Sequence, residues 1–286
     1  MKLINHKIEG IPFRATRHTG GMITPELVVL HDTASRLTKG NAADYLHNNA
    51  AQVSVHFVIE RDGSIEQQVP TNRRANHAGK SSYHGRNSCN EFSIGIEIVN
   101  PGKMTAVPGK PGAALTWWGE IMQGGAAGEL VAMSTPEHGP GVWLAYTEAQ
   151  IETITTLLAG LFAGISTLHD IRTHWYVSPG RKVDTNPLFP LEQVRSRILG
   201  RDDPADLHAD AASVPAPIAT MAKIVTAGSN LNLRRWPSFN PNIIGSIPNG
   251  TLVPVLRTGS FDDRRWLNVQ FDGREGWILE TYTHLV

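Results

Sequence analysis

The chain has 286 residues and carries 26 Lys and Arg against 26 Asp and Glu, a formal net charge of zero that argues against nucleic acid or another polyanion as partner. An apolar fraction of 41% before glycine is counted supplies a sizeable core, and the length suits one large domain or two ordinary ones. The single cysteine, Cys89, excludes an intrachain disulfide and reads as a structural thiol, and no apolar run approaches the ~20 residues of a membrane span.

In Met1–Gly10 charge interrupts every short apolar group, so no cleavable leader is expected and the chain reads as cytoplasmic when synthesised. The apolar run from Glu26 to Leu30, bounded by Pro25 and by Asp32-Thr33, predicts a short buried strand that ends just before His31. Residues 41–49 read as a short helix after Gly40. Val53 to Ile59 and Ser64 to Val69 read as strands, joined at Asp62-Gly63, a pair that supplies the positive φ of a tight turn. His56 lies in the first of these strands and is expected to be packed or hydrogen-bonded. His77 sits in the polar loop from Arg74 to Gly79. Ile94 to Val99 is a further apolar strand carrying Glu97. A carboxylate there is expensive to bury unless paired, so Glu97 either faces a site or points outward.

From Pro101 to about Ala145 the chain is rich in Gly, Pro and Ala and contains Trp117, Trp118 and Trp143; a stretch of this length is expected to be a functional flap or a small subdomain. Thr147-Glu-Ala-Gln150 is a capping-box pattern, and Ile151, Ile154, Leu157, Leu158 and Leu161 follow at helical spacing. Residues 190–199 predict a last helix of the first domain. Arg201 to Pro217 has almost no large apolar residue and reads as an extended linker. From about 221 to 286, short β-rich runs alternate with turns such as Asn249-Gly250 and Asp272-Gly273, the pattern of a small barrel.

The segment from Arg172 to Asp184 gathers an imidazole, cations and a carboxylate. His174 and Asp184 are too far apart for one helical face, but the Ser178-Pro179-Gly180 turn can fold one back on the other. An imidazole and a carboxylate aimed at one point suit zinc, and His31, after its apolar strand, is the best third ligand. Spacing alone carries this reading only part of the way. His169-Asp170, also tempting, is assigned to supporting or surface roles.

Four ordered stretches resemble the type 2 N-acetylmuramoyl-L-alanine amidases, a zinc amidase family related to phage amidase lysozymes and peptidoglycan recognition proteins. They are Val28–Ser35, Val55–Gly63, Ala75–Asn100 and Thr173–Asp184. The resemblance implies an α/β fold with a mixed central β-sheet flanked by helices, residues 1–200, with 101–145 as an insertion. It implies one zinc ion per chain on His31, His174 and Asp184, with Glu97 as general base and Lys182 stabilising the oxyanion. It also makes His77, otherwise an exposed loop residue, a candidate substrate contact. Arg181 is a second candidate, through a substrate carboxylate, with a structural salt bridge as the alternative. Asp32, next to His31, is a candidate to orient a ligand. The tryptophans of the insertion either stack on sugar faces or plug the insertion onto the core, the second being preferred. Asp184 is followed by Thr185-Asn186-Pro187, where many relatives have Pro at once.

After a linker at 201–220, residues 221–286 resemble bacterial SH3-like domains. In that family Trp236, Trp266, Trp277 and Tyr282 suit a binding groove, with a barrel core the expected role of Trp266 and Trp277. The activity implied is hydrolysis of the bond between the lactyl group of N-acetylmuramic acid and L-alanine, with peptidoglycan or muropeptides as partner and neither nucleic acid nor membrane. A lytic enzyme with a wall-targeting module leads; a cytoplasmic amidase that recycles anhydromuropeptides and a non-catalytic peptidoglycan-binding protein are the alternatives.

Overall fold

Leu27 to Leu30 is fully buried in an inner strand of a five-stranded sheet in the computed structural model, which describes residues 1–125, 127–200, 221–235, 237, 243–261 and 264–286. The strands are β1 (Leu27–Asp32), β2 (Phe57–Ile59), β3 (Ile65–Gln67), β4 (Ser93–Ile98) and β5 (Asp170–Thr173). Their order is β5-β1-β4-β2-β3, parallel throughout except for the β2–β3 hairpin. That hairpin turns at Asp62-Gly63, where Gly63 has φ +82°. Parallel strands are buried on both faces, which explains near-continuous apolar runs in β1.

Two differences from the sequence reading bear on the site. Strand β1 runs on through His31 and Asp32, so His31 belongs to a paired strand rather than the coil after it. The expected loop from Arg172 begins instead with β5 and a single helical turn, α3 below. β5 is only four residues long and carries Asp170 and Arg172, too short and too polar to stand out from sequence.

Among the described residues, α1 (Asn41–His47), α2 (Glu148–Gly164) and α3 (His174–Val177) fall in the same contact unit as the sheet, and α4 (Leu191–Leu199) starts at that unit's last residue. The capping box forms as expected: the Thr147 side chain accepts from the Gln150 N–H, and the Gln150 side chain accepts from the Thr147 N–H. Gln150 also donates to the Val99 carbonyl at 2.9 Å and accepts from Arg61 at 3.0 Å, tying the start of α2 to the sheet.

The stretch from 101 to 145 is built of short antiparallel strands. Thr105–Ala106, Ala113–Leu115 and Ile121–Gln123 form a small sheet, and Leu130–Thr135 pairs with Gly139–Leu144. Trp143 is buried against His138, Ala145 and Leu188, as the core reading expects. Trp117 is not: it is 71% exposed.

Two units separate by contact, Met1–Leu191 and Glu192–Val286. In the second, seven strands from Met221 to Leu285 form one antiparallel sheet around Ile224, Leu233, Ile247, Leu267, Val269 and Ile278. Trp266 and Trp277 are buried together against Leu279, which is the core role expected for them; Tyr282 is exposed. Trp236 and the linker at 201–220 lie outside the described residues. Among the described residues, no helix is long and apolar enough to cross a membrane.

Candidate metal centre

Strand register brings the site together. Thr173 pairs with Leu30, so His174, one residue further on, lies beside His31; on the other side His31 pairs with Glu97. Three neighbouring parallel strands therefore deliver His174, His31 and Glu97 at their C-terminal ends, where open parallel sheets place their ligands. Period-2 alternation then decides which face each residue takes. On β4, Ser93, Gly95 and Glu97 share the site face, while Ile94, Ile96 and Ile98 are buried on the other. On β1, Leu27 and Val29 share a face with His31 and pack with Ala78 and Val177 beneath the site.

Asp184 arrives by the return of its loop. The Trp175 N–H donates to the Asp184 carbonyl at 2.7 Å, and Arg181 and Lys182 N–H groups both donate to the Ser178 carbonyl. Gly180 takes φ +72° within that turn. Asp32 orients no ligand imidazole. It accepts from the Tyr146 hydroxyl at 2.5 Å and from the Asn186 N–H at 2.8 Å, fixing the chain two residues past Asp184. Burial raises the Asp32 carboxyl to about 8.

Three acceptors converge. His31 Nδ1 and His174 Nδ1 are 2.9 Å apart; Asp184 Oδ2 lies 2.9 Å from His174 Nδ1 and 3.4 Å from His31 Nδ1. The surrounding hydrogen bonds fix the tautomers. Ser93 Oγ donates to the Cys89 carbonyl at 2.6 Å, so its oxygen is left to accept from His77 Nε2 at 3.2 Å. His77 Nδ1 then accepts from His31 Nε2 at 2.9 Å, which leaves a lone pair on His31 Nδ1. His174 Nε2 faces the Ala78 carbonyl at 3.1 Å and Arg181 Nη2 at 3.2 Å; with its N–H given to the carbonyl, a lone pair is left on its Nδ1 as well. Burial keeps His31 neutral, pushing it down to about 4, and holds His77 well below its ordinary value.

Two imidazole lone pairs and a carboxylate oxygen at these separations repel one another unless a cation sits between them. Tetrahedral bonds of about 2.0–2.1 Å space donor atoms by roughly 3.3 Å, close to what the three residues already adopt. His31, His174 and Asp184 are the cluster of metal-ligating side chains among the described residues.

A cavity of about 580 Å³ opens over this cluster. Glu97, Lys182, His174, Asp184 and His77 line it, together with Trp117, Trp118 and Tyr45. Glu97 Oε2 is buried with no hydrogen-bond partner. Burial, then the nearby Asp184 and Asp32 charges, raise its carboxyl well above the usual range. Arg181 is placed elsewhere. Its guanidinium donates to the Ala78 and Lys80 carbonyls and to Ser178 Oγ, a clamp on the loop behind His174 rather than a wall of this cavity. His56 is buried, as expected: its Nδ1 accepts from the Gly95 N–H at 3.0 Å and its Nε2 donates to the Arg73 carbonyl at 2.9 Å.

The sequence reading took His77 as a loop residue or substrate contact. The structure puts its ring directly over Gly95, where a Cβ would lie 2.4 Å from His77 Cγ, and against His31. The one sequence signal for this was a glycine inside an otherwise apolar strand, which marks a close approach.

Comparison with known proteins gives two family matches. Residues 21–187 match the N-acetylmuramoyl-L-alanine amidase family, and residues 229–284 match the bacterial SH3 domain family. The 1,6-anhydro-N-acetylmuramyl-L-alanine amidase AmpD of Salmonella typhimurium is 32% identical over 148 residues, 51% of this chain and 58% of that protein. The N-acetylmuramoyl-L-alanine amidase XlyA of Bacillus subtilis is 35% identical over 99 residues, 34% of this chain and 32% of its own. The chain thus spans less than two thirds of these relatives. Among solved structures, that of the N-acetylmuramyl-L-alanine amidase AmiD from E. coli with a bound anhydro-muropeptide has a TM-score of 0.46 at 21% identity, covering 74% of this chain and 69% of that one.

Proposed function

The chain belongs to the N-acetylmuramoyl-L-alanine amidase family, and we propose that it hydrolyses the amide between the lactyl group of N-acetylmuramic acid and L-alanine of the stem peptide. The observation that carries this reading is the convergence of His31, His174 and Asp184 under a cavity that also holds a buried, unpartnered Glu97 oxygen. We assign zinc to the three ligands, one ion per chain. Zinc held there supplies Lewis-acid activation of water and of the amide carbonyl near neutral pH.

The protein's own groups do the rest. Glu97, with its raised pKa, takes the proton of the attacking water and returns it to the leaving amine. Lys182, which lines the same cavity, donates to the carbonyl oxygen as it turns negative. His77 holds the ring of His31 through Nε2, and Arg181 braces the Ala78 carbonyl that holds His174. Both act by positioning ligands, and His77, which also lines the cavity, remains within reach of substrate.

Two substrates suit this chemistry. The SH3-type unit favours intact peptidoglycan and a lytic, endolysin-like enzyme that reaches the wall after release from the cell. The likeness to 1,6-anhydro-N-acetylmuramyl-L-alanine amidases favours soluble anhydromuropeptides in the cytoplasm. Turnover on purified sacculi against turnover on a soluble anhydromuropeptide tests the choice. The lytic reading expects release of new L-alanine amino termini from sacculi, reduced when residues 221–286 are removed. Turnover confined to the soluble substrate supports the recycling role, and turnover on neither refutes the amidase reading.

A further inference from the structure

Trp117 is an indole left 71% exposed and yet held in place. Its Nε1 donates to the Ala34 carbonyl at 2.7 Å, and the neighbouring Glu120 pairs with Arg36 at 2.5 Å. Two attachments thus fasten the tip of the 101–145 insertion to the loop that follows β1, the strand of His31. Trp118 meets Trp117 edge to face, with ring centroids 5.7 Å apart and planes at 88°. Both line the cavity over the metal cluster, as does Tyr45 of α1, itself 55% exposed. A core-plugging role would bury Trp117, as it does Trp143.

The cavity lining combines polar groups, among them Glu97, Lys182, His174, Asp184 and Arg36, with three aromatic side chains, Trp117, Trp118 and Tyr45. The scissile amide has two different sides, a pyranose on the acyl side and a peptide bearing carboxylates and amines on the other. The aromatic side chains suit the sugar. Arg36 lies over the Trp118 ring, 5.7 Å from its centroid, and is already paired with Glu120, so the exposed Trp117 indole supplies the main stacking face. A flat indole face offers little to a charged stem but matches the C–H face of a pyranose, and Trp118, packed edge to face on Trp117, helps hold that face in place. Anchoring through Nε1 means that little side-chain freedom is lost on binding.

We propose that Trp117 and Trp118, with Tyr45, form a saccharide subsite that stacks on the N-acetylmuramoyl ring and sets specificity for sugar-bearing substrates. This rests on the amidase reading for its position but is tested separately from it. Trp117→Ala and Trp117→Phe are compared with wild type on N-acetylmuramoyl-L-alanyl-D-isoglutamine and on N-lactoyl-L-alanyl-D-isoglutamine, which keeps the same amide without the sugar. For Trp117→Ala, KM rises about tenfold on the sugar-bearing substrate, with kcat little changed and the sugar-free substrate unaffected; Trp117→Phe recovers part of the loss. Equal effects on both substrates would mean that the wall reads the peptide, and no effect on either would mean that it reads nothing; both overturn the proposal. A second readout needs no turnover: N-acetylmuramic acid binding to metal-free protein, followed by saturation-transfer NMR. Wild type shows transfer to the sugar ring protons and Trp117→Ala loses it. If wild type hydrolyses neither substrate, the amidase reading fails, and this titration alone decides the subsite: unchanged transfer in Trp117→Ala, or none in wild type, refutes it.

Discussion

Gly95→Ala tests the histidine relay behind the metal cluster with a single methyl group. A Cβ at position 95 would lie 2.4 Å from His77 Cγ, 2.7 Å from Nδ1 and 2.8 Å from Cδ2. Those atoms are the root and body of the ring, so no end-group rotation relieves the overlap, and the imidazole must shift by about 1 Å to reach ordinary contact. Such a shift breaks the 2.9 Å bond to His31 and the 3.2 Å bond to Ser93. Overpacking costs about 1–3 kcal/mol and each of the two lost hydrogen bonds about 1 kcal/mol, so a total loss of about 3–5 kcal/mol in stability is expected. With His31 no longer held through Nε2, zinc affinity falls about 10–100-fold. Denaturant unfolding of the metal-free protein and competition with a chromophoric chelator read the two effects. Gly21→Ala is the matched control, since nothing lies within 4 Å of its would-be Cβ. In the double variant Gly95→Ala/His77→Ala the overlap has no ring to strike. Its stability therefore exceeds the sum of the single effects, while its zinc affinity equals that of His77→Ala. Wild-type stability and zinc affinity in Gly95→Ala would refute the relay.

Other consequences follow from the same geometry. Glu97→Gln keeps the metal cluster and removes the base, so kcat/KM falls about 10²–10⁴-fold while zinc content stays the same; loss of zinc in this variant would contradict the assignment. Because burial raises the Glu97 carboxyl, the base form is lost as pH falls through that raised value. The acid limb of kcat/KM is therefore expected above the ordinary carboxylate range and absent from the residual rate of Glu97→Gln. Lys182→Ala, with one oxyanion donor gone, loses about 10²–10³-fold in kcat and keeps its fold and metal. Burial lowers His56 to about 4 against an ordinary 6.5, so below 6.5 the unfolded chain binds a proton that the folded one refuses. Stability therefore falls as pH drops from 6.5 to about 4, by up to about 3 kcal/mol from this residue, and unfolding of His56→Gln should show a flatter profile over that window.

The parts of the site that are local in the chain were legible in the sequence. His31 follows a four-residue apolar run, Asp62-Gly63 specifies its turn, and Thr147 with Gln150 specifies a helix start. Each of those signals acts over a few residues. What escaped is set by register between distant segments. β5 is too short and polar to announce itself, yet its pairing of Thr173 with Leu30 is what puts His174 beside His31. The role of His77 depends on four hydrogen-bonding groups converging from residues 31, 77, 89 and 93. The exposure of Trp117 depends on where a 45-residue stretch folds back, and its aromatic pattern alone fits a core plug as well as a platform. Arg181 illustrates the same point: its fork suits a substrate carboxylate, but the nearest acceptors are carbonyls of the loop at 78–80.

The most direct test of the account is zinc content and amidase activity measured together on purified protein, before and after chelation. The account predicts about one zinc per chain, activity lost with the metal and restored by zinc, and both abolished in His174→Ala. Amidase activity that survives complete removal of metal, or a His174→Ala variant that retains both zinc and turnover, would contradict it.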